Sequence, residues 1–81
     1  MSGTVKLINP KRGMVAVQID DGDFTVFEVL DSCEINIGDE ITGNLNSLGS
    51  ETLYNRTRKE RFEAYIEAIH AIPTNAQQLV K

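Results

Sequence analysis

The stretch "MVAVQIDDGDFTVFEVL", Met14 to Leu30, decides the fold because it has the pattern of a β-hairpin. In its first half, apolar side chains recur at every second position on one side of a strand: Val15, Val17 and Ile19. Asp21-Gly22 follows, and this dipeptide is favoured in tight hairpin turns because both residues tolerate positive φ. Phe24 to Leu30 then returns as the partner strand. The stretch therefore predicts two antiparallel strands joined by a short turn.

The predicted register of this hairpin determines which side chains face the core. A turn centred on Asp21-Gly22 sets Ile19 opposite Phe24, and that face is assigned to the core together with Val15, Val17, Val26 and Leu30. The outward face then carries Met14, Ala16, Gln18, Thr25, Phe27 and Val29. The same register sets Asp20 against Asp23, an unfavourable like-charge pair that a bulge or a looser turn would relieve.

Further strands are predicted on both sides of the hairpin. Thr4 to Ile8 is a short β-type run that ends at the turn signal Asn9-Pro10. Ile37-Gly38-Asp39 forms a turn into a fourth strand, Glu40 to Leu45, which a polar loop at Asn46 to Ser50 follows. Four strands would leave the sheet with exposed edges.

The segment from residue 57 to residue 72 fits two structures. Phe62, Ala64 and Ile66 alternate as in a strand, whereas Thr57 to Glu60 matches a capping box at the start of a helix. We favour the strand, because a fifth strand closes the sheet into a barrel. Pro73 ends the element in either case. The prediction is a barrel over residues 1–73 and a tail, 74–81, that is a short helical turn or irregular.

Composition limits the classes of function. Eighty-one residues form one domain, with a core too small for an elaborate buried active site. Cys33 is the single cysteine, which indicates a reducing cytoplasm, and no apolar run approaches the roughly 20 residues that span a bilayer. The chain has no nucleophile motif, zinc-ligand spacing or phosphate-binding glycine loop, so we predict a non-enzyme without metal or cofactor.

Several residues that could carry chemistry are assigned structural roles instead. His70 lies among apolar neighbours and is predicted to pack. Turn formation explains the sequence "DDGD". The thiol of Cys33 is predicted to be unreactive, since no cation or histidine lies near it in the sequence. Tyr54 and Tyr65 could stack on a base or a partner, but we favour packing in the core or at its rim for both.

Charge is distributed unevenly, although its sum is only −4. Between Gly13 and Asn55 there are nine acidic residues and neither lysine nor arginine. Seven of the eight cations fall in two clusters: Lys6, Lys11 and Arg12, and then Arg56, Arg58, Lys59 and Arg61. The net charge argues against tight non-specific DNA binding, which depends on many phosphate contacts.

The segment "GTVKLINPKRG", Gly3 to Gly13, resembles the opening "G-x-V-K-W-F-N-x-x-K-G" of cold-shock domains. The shared residues are Gly3, Val5, Lys6, Asn9 and Gly13. The Asp21-Gly22 hairpin and "IGDEITG", Ile37 to Gly43, are similar as well, so the resemblance covers the first half of the chain. It implies an all-β fold, a small five-stranded OB-fold-like barrel that binds single-stranded nucleic acid.

The base-stacking motifs of that family are largely missing. In the family, "K-G-F-G-F-I" and "V-F-V-H-F" present aromatic rings on strands two and three. Here Met14 and Ala16 replace two rings, and Leu7 replaces a tryptophan. "TVFEV" offers Val26 and Glu28 where a ring and a histidine are expected. Phe27, turned outward by the predicted register, is the one ring left on that surface.

Two functions follow from these patterns. The first is weak, unspecific binding of single-stranded RNA or DNA, because the two basic clusters fall near loops that flank the ligand in an OB-fold. Exposed loops also carry charge without any ligand. The residues predicted to bind nucleic acid are Lys6, Lys11, Arg12, Met14, Phe27, Arg56, Arg58, Lys59 and Arg61. The second is a protein-interaction module that uses the apolar outward face, Met14, Ala16, Phe27 and Val29, unless the tail around Leu79 and Val80 covers it.

Overall fold

The computed structural model describes all 81 residues as six antiparallel strands and one helix. The elements are β1 (Ser2–Asn9), β2 (Met14–Ile19), β3 (Phe24–Val29), β4 (Glu40–Thr42), β5 (Gly49–Asn55), β6 (Glu60–Ala71) and α1 (Pro73–Val80). The strands form a closed barrel in the order β1-β2-β3-β6-β5-β4, and β4 pairs with β1 to close it. The predicted all-β barrel is confirmed, with a short C-terminal helix.

The barrel has six strands where five were predicted. The predicted fourth strand continues only to Thr42, because Gly43 adopts φ 139°, and an additional strand, β5, follows the loop. Its pattern in the sequence is weak, since Leu53 is its only buried apolar side chain and its outward residues are polar. The strand predicted within residues 57–72 is confirmed as β6, so the alternative helix is wrong.

The hairpin register differs from the prediction by one residue. Val15 pairs with Phe27, and Gln18 pairs with Phe24. The connection is longer than a two-residue turn: Ile19 N–H donates to the Asp23 carbonyl at 2.9 Å, and Asp23 N–H donates to Asp21 Oδ1 at 2.9 Å. This looser turn also removes the predicted like-charge pair. Because side chains alternate along a strand, the shift turns β3 over.

The barrel interior shows the consequence of that shift. Phe27 is fully buried and packs against Phe62, with ring centroids 5.8 Å apart. Thr25 is also buried, and its hydroxyl donates to the Leu45 carbonyl at 2.8 Å. The predicted outward positions of Thr25, Phe27 and Val29 are therefore wrong. The predicted inward positions of Phe24, Val26 and Leu30 are wrong as well, since the first two belong to a separate outer cluster and Leu30 is 53% exposed. The interior cluster consists of Val5, Val15, Val17, Ile19, Phe27, Ile41, Leu45, Leu53, Phe62, Ala64 and Ile66.

A second apolar layer lies outside the barrel, beneath α1. The outward side chains of β2 and β3 are covered by the helix, whose buried residues are Ala76 and Val80. The covered strand residues are Met14, Ala16, Phe24 and Val26. Pro73 occupies the first helical position of α1. Proline has no N–H, and this is harmless here because an N–H at that position would have no partner within the helix. The tail thus covers part of the predicted apolar patch.

Candidate nucleic-acid interface

Five of the seven cations in the two basic clusters lie at the same end of the barrel, while Lys6 lies on β1 and Arg61 on β6. All neighbouring strands are antiparallel, so the β1–β2, β3–β4 and β5–β6 connections emerge together. We call this the upper end, and it comprises residues 10–13, 30–39 and 56–59. The first connection carries Lys11 and Arg12, and the third carries Arg56 to Lys59. The β3–β4 connection, which we call the acidic connection, carries Asp31, Glu34 and Asp39. Acidic residues and cations that are distant in sequence therefore meet at this end.

Arg12 is engaged by the C-terminus of α1. Its guanidinium donates to the Lys81 carbonyl and, at 3.4 Å, to the Leu79 carbonyl. The last carbonyl groups of a helix lack partners within the helix and carry partial negative charge, which a cation stabilises. Arg12 therefore holds the helix against the β1–β2 turn. A role in binding phosphate would require it to leave this position.

Arg56 and Arg58 form ion pairs with the acidic connection and its adjoining strand. Arg56 lies 3.2 Å from Glu40, and Arg58 lies 3.1 Å from Asp39 and 3.4 Å from Glu34. These carboxylates neutralise the two guanidinium groups. The basic cluster of residues 56–61 is therefore much less positive in space than in sequence.

Asp39 is the buried centre of this network. Its Oδ2 accepts hydrogen bonds from Asn55 Nδ2 at 2.9 Å, from the Asn36 N–H at 3.0 Å and from Arg58 Nε at 3.1 Å. Burial pushes the pKa of Asp39 upward, but these three donors outweigh burial and hold the pKa below its ordinary value. Asn55 in turn accepts the Arg58 N–H at 3.1 Å. The network joins the acidic connection to the β5–β6 turn, which is a structural task.

Of the cations predicted to bind nucleic acid, four have no carboxylate within ion-pair distance: Lys6, Lys11, Lys59 and Arg61. Lys59 occupies the β5–β6 turn in the left-handed region, at φ 58°, and its side chain is exposed. Arg61 lies on β6 directly opposite Tyr54 of β5. Lys59 directly precedes β6 and Arg61 is the second residue of β6, so the two place positive charges at the start of this strand.

The two apolar residues predicted to bind nucleic acid are not accessible. Met14 is only 4% exposed because α1 lies over it, and Phe27 is fully buried inside the barrel. The predicted surface on strands two and three therefore has no ring and no open face for a base.

The accessible aromatic residues lie elsewhere, on the outer side of β5 and β6. Tyr54 is 38% exposed and Tyr65 is 44% exposed, whereas all three phenylalanines are buried. The predicted packing of the two tyrosines in the core is therefore wrong. We call this surface the tyrosine face, defined by Tyr54, Arg61 and Tyr65. The alternation within β6 could have revealed it, because inward Phe62, Ala64 and Ile66 require odd-numbered neighbours to point outward.

Acidic residues border the tyrosine face. Glu63 lies between Arg61 and Tyr65 on the same side of β6, and Glu28 pairs with Tyr65 from β3. The Glu63 carboxylate accepts the Thr52 hydroxyl at 2.6 Å. These carboxylates reduce the attraction of the face for phosphate and do not remove the open rings.

A cleft of about 400 Å³ opens at the upper end, beside Pro10, Asp31, Cys33 and Glu34. The pKa of the Cys33 thiol is raised by burial and then by the negative charges of Glu60 and Asp31. A raised pKa leaves little thiolate at neutral pH, in agreement with an inert cysteine. The same negative charges disfavour a phosphate in this cleft.

Three side chains that could hold a metal ion converge at the opposite end. Single ligand atoms of Asp21, Asp23 and His70 lie within 4.8 Å of one another. The side chain of His70 is 52% exposed and its Nδ1 lies 3.1 Å from Asp23 Oδ2. The predicted packing role of His70 is therefore wrong.

The single helix, α1, has eight residues and is too short to cross a membrane. Comparison with known proteins finds no matching family model, no matching curated protein and no matching solved structure.

Proposed function

We propose that this protein binds single-stranded RNA or DNA weakly and with little sequence preference, through the tyrosine face. The observation that carries the proposal is the pair of exposed rings, Tyr54 and Tyr65, on neighbouring strands beside the unpaired guanidinium of Arg61. Proteins that bind single strands without reading their sequence combine exposed rings with cations that follow the phosphates.

The spacing of the rings suits separate bases. Arg61 is opposite Tyr54, and Tyr65 lies four residues farther along β6. At roughly 3.3 Å per residue, the two rings are about 13 Å apart along the strand. They are too far apart to stack on each other, so each can receive a base of an extended strand. Stacking on one ring contributes about 1–3 kcal/mol for any base.

The electrostatic contribution is small. Lys59 and Arg61 are the unpaired cations nearest the rings in the chain, and together they would contact about two phosphates. For a single strand, two contacts predict a slope of about −1.4 in a plot of log K against log salt concentration. Affinity should therefore fall about sevenfold between 50 and 200 mM salt, with the acidic border keeping it low overall.

This proposal moves the binding surface from the hairpin to β5 and β6. The alternative function, protein binding through the outward hairpin face, loses its surface in this structure. Met14 and Ala16 are covered by α1, and Phe27 belongs to the core. The tyrosine face is the aromatic surface that is still open.

The test is a two-dimensional amide NMR titration with a mixed-sequence single strand at 50 and 200 mM salt. We expect the amide shifts to cluster on β5 and β6 around Tyr54, Arg61 and Tyr65. Tyr54→Ala and Tyr65→Ala should each weaken binding by at least about fivefold, the equivalent of 1 kcal/mol of lost stacking. Tyr54→Phe should retain affinity because it retains the ring.

Leu48→Ala is the matched control, since Leu48 is an exposed apolar residue of the β4–β5 connection, outside the tyrosine face. Equal effects of Leu48→Ala and Tyr54→Ala would contradict the assignment of the surface. The absence of any shift at millimolar oligonucleotide would contradict nucleic-acid binding itself.

A further inference from the structure

Two segments distant in sequence meet at the end of the barrel opposite the basic turns. The β2–β3 turn carries Asp21 and Asp23, and the last residues of β6 run beside it, because Phe24 pairs with Ala71. Between the pairs Phe24–Ala71 and Val26–Ala68, β6 has one residue more than β3. Such a bulge re-aims a side chain, and here His70, at φ 53°, turns its imidazole towards the turn.

The separation of the converging atoms matches ligands of one metal ion. His70 Nδ1 and Asp23 Oδ2 are 3.1 Å apart. Two ligands, each about 2.1 Å from an ion, are separated by about 3.0 Å at a right angle and by about 3.4 Å at a tetrahedral angle. Asp21 contributes a third ligand atom within 4.8 Å of the others.

The chemical character of the ligands selects the type of ion. One imidazole nitrogen with two carboxylate oxygens suits a divalent first-row transition metal, whereas calcium and magnesium prefer oxygen ligands alone. Zinc binds all three atom types and accepts three protein ligands with water in the fourth position. The exposed position of the site leaves room for that water.

The charge around the three side chains also favours a cation. Asp20 adds a third carboxylate to the turn, and neither lysine nor arginine forms an ion pair with any of the three aspartates. A divalent cation would relieve the repulsion among these carboxylates.

We propose that Asp21, Asp23 and His70 form a surface site for a divalent transition-metal ion of the zinc type. The site is separate from the tyrosine face and does not depend on the function proposed for that face. It needs no movement of the barrel, since the bulge and the turn already hold the ligands together. Binding would join the end of β6 to the β2–β3 turn.

The experiment is a titration of the metal-free protein with Zn²⁺. Calorimetry measures the affinity and the number of ions bound, and amide NMR locates the residues that respond. We expect one ion per chain, with shifts confined to residues 20–24 and 68–71. Asp23→Asn and His70→Asn should each weaken binding by at least about tenfold, because even the loss of an outer-shell partner has that effect at metal sites. Asparagine is chosen at position 70 because it tolerates the left-handed backbone.

Asp20→Asn is the matched control, because it removes one carboxylate from the same turn and leaves all three ligands. Its affinity should stay within about twofold of the unmodified protein. Equal weakening by Asp20→Asn and Asp23→Asn would overturn the proposal, since it would show diffuse attraction to charge. An unchanged affinity in a folded His70→Asn variant, or no binding at all by the unmodified protein, would overturn it as well.

Discussion

Replacement of Asp39 tests the network that joins the acidic connection to the β5–β6 turn. Asp39 is only 5% exposed, and one of its oxygens accepts three hydrogen bonds. Asp39→Ala removes the acceptor and leaves the buried Asn55 amide without that partner. Hydrogen bonds to a charged group contribute about 1.5–3 kcal/mol each, while the partly exposed Arg58 pair adds at most about 1 kcal/mol. We expect a loss of about 3–7 kcal/mol in the free energy of unfolding.

That loss is large for a domain of this size. At about 0.05–0.15 kcal/mol per residue, a chain of 81 residues is stable by roughly 4–12 kcal/mol. Asp39→Asn is the milder variant, because it keeps the shape and one acceptor oxygen and loses the charge. Since charge-assisted hydrogen bonds are about twice as strong as neutral ones, it should lose about 1.5–3 kcal/mol. Urea unfolding at pH 7 measures both variants, with Asp20→Asn as an exposed control for the change in charge.

The pH dependence follows from the lowered pKa of Asp39. A carboxyl whose folded-state pKa is depressed stabilises the fold above its unfolded pKa, about 3.9, and this contribution disappears as pH falls through the folded value. The difference in stability between the unmodified protein and Asp39→Asn should be constant from pH 7 to about 5 and should shrink below about 4. A loss under 1 kcal/mol in Asp39→Ala, or a difference that persists at the lowest pH, would refute this reasoning.

Three further predictions concern the core, a backbone constraint and the thiol. Phe27→Ala should destabilise the fold by about 3–5 kcal/mol in urea unfolding, since the side chain is fully buried. A loss below about 1 kcal/mol would show that the ring is exposed and would contradict its place in the core. Gly43→Ala should destabilise more than Gly22→Ala, because both have positive φ but only the new Cβ at position 43 meets Leu53, at 2.8 Å; equal thermal midpoints would contradict this. Cys33 should react with a thiol reagent more slowly at pH 7 than an unfolded control does, given its raised pKa.

The comparison of prediction and structure is most instructive in β3. The sequence located both strands of the hairpin and its turn. The predicted turn had two residues, however, whereas three residues lie between Ile19 and Asp23 in the structure. One residue of shift moved Phe27 from the surface to the centre of the barrel. A local pattern specifies that a strand alternates, whereas the face that is buried depends on the length and hydrogen bonding of the turn.

The candidate site shows a similar division. Alternation along β6 contains the information that Arg61 and Tyr65 point outward, once the segment is known to be a strand. The segment also matched a helical stripe, so the sequence did not resolve this point. The strand β5, which carries Tyr54, was not recognised because Leu53 is its only buried apolar side chain. Tyr54 and Arg61 become a pair only when these two strands meet.

Sequence alone determined the all-β class, the approximate positions of β1 to β3 and the division of charge into clusters. It also determined that the last strand ends before Pro73. These properties depend on side-chain periodicity and turn chemistry within a few residues. Tertiary structure alone decided that Arg12 caps α1, that Asp39 and Glu34 neutralise Arg58, and that His70 reaches Asp23. Each of these contacts joins residues from separate elements, so it exists only after the barrel closes and its register is set.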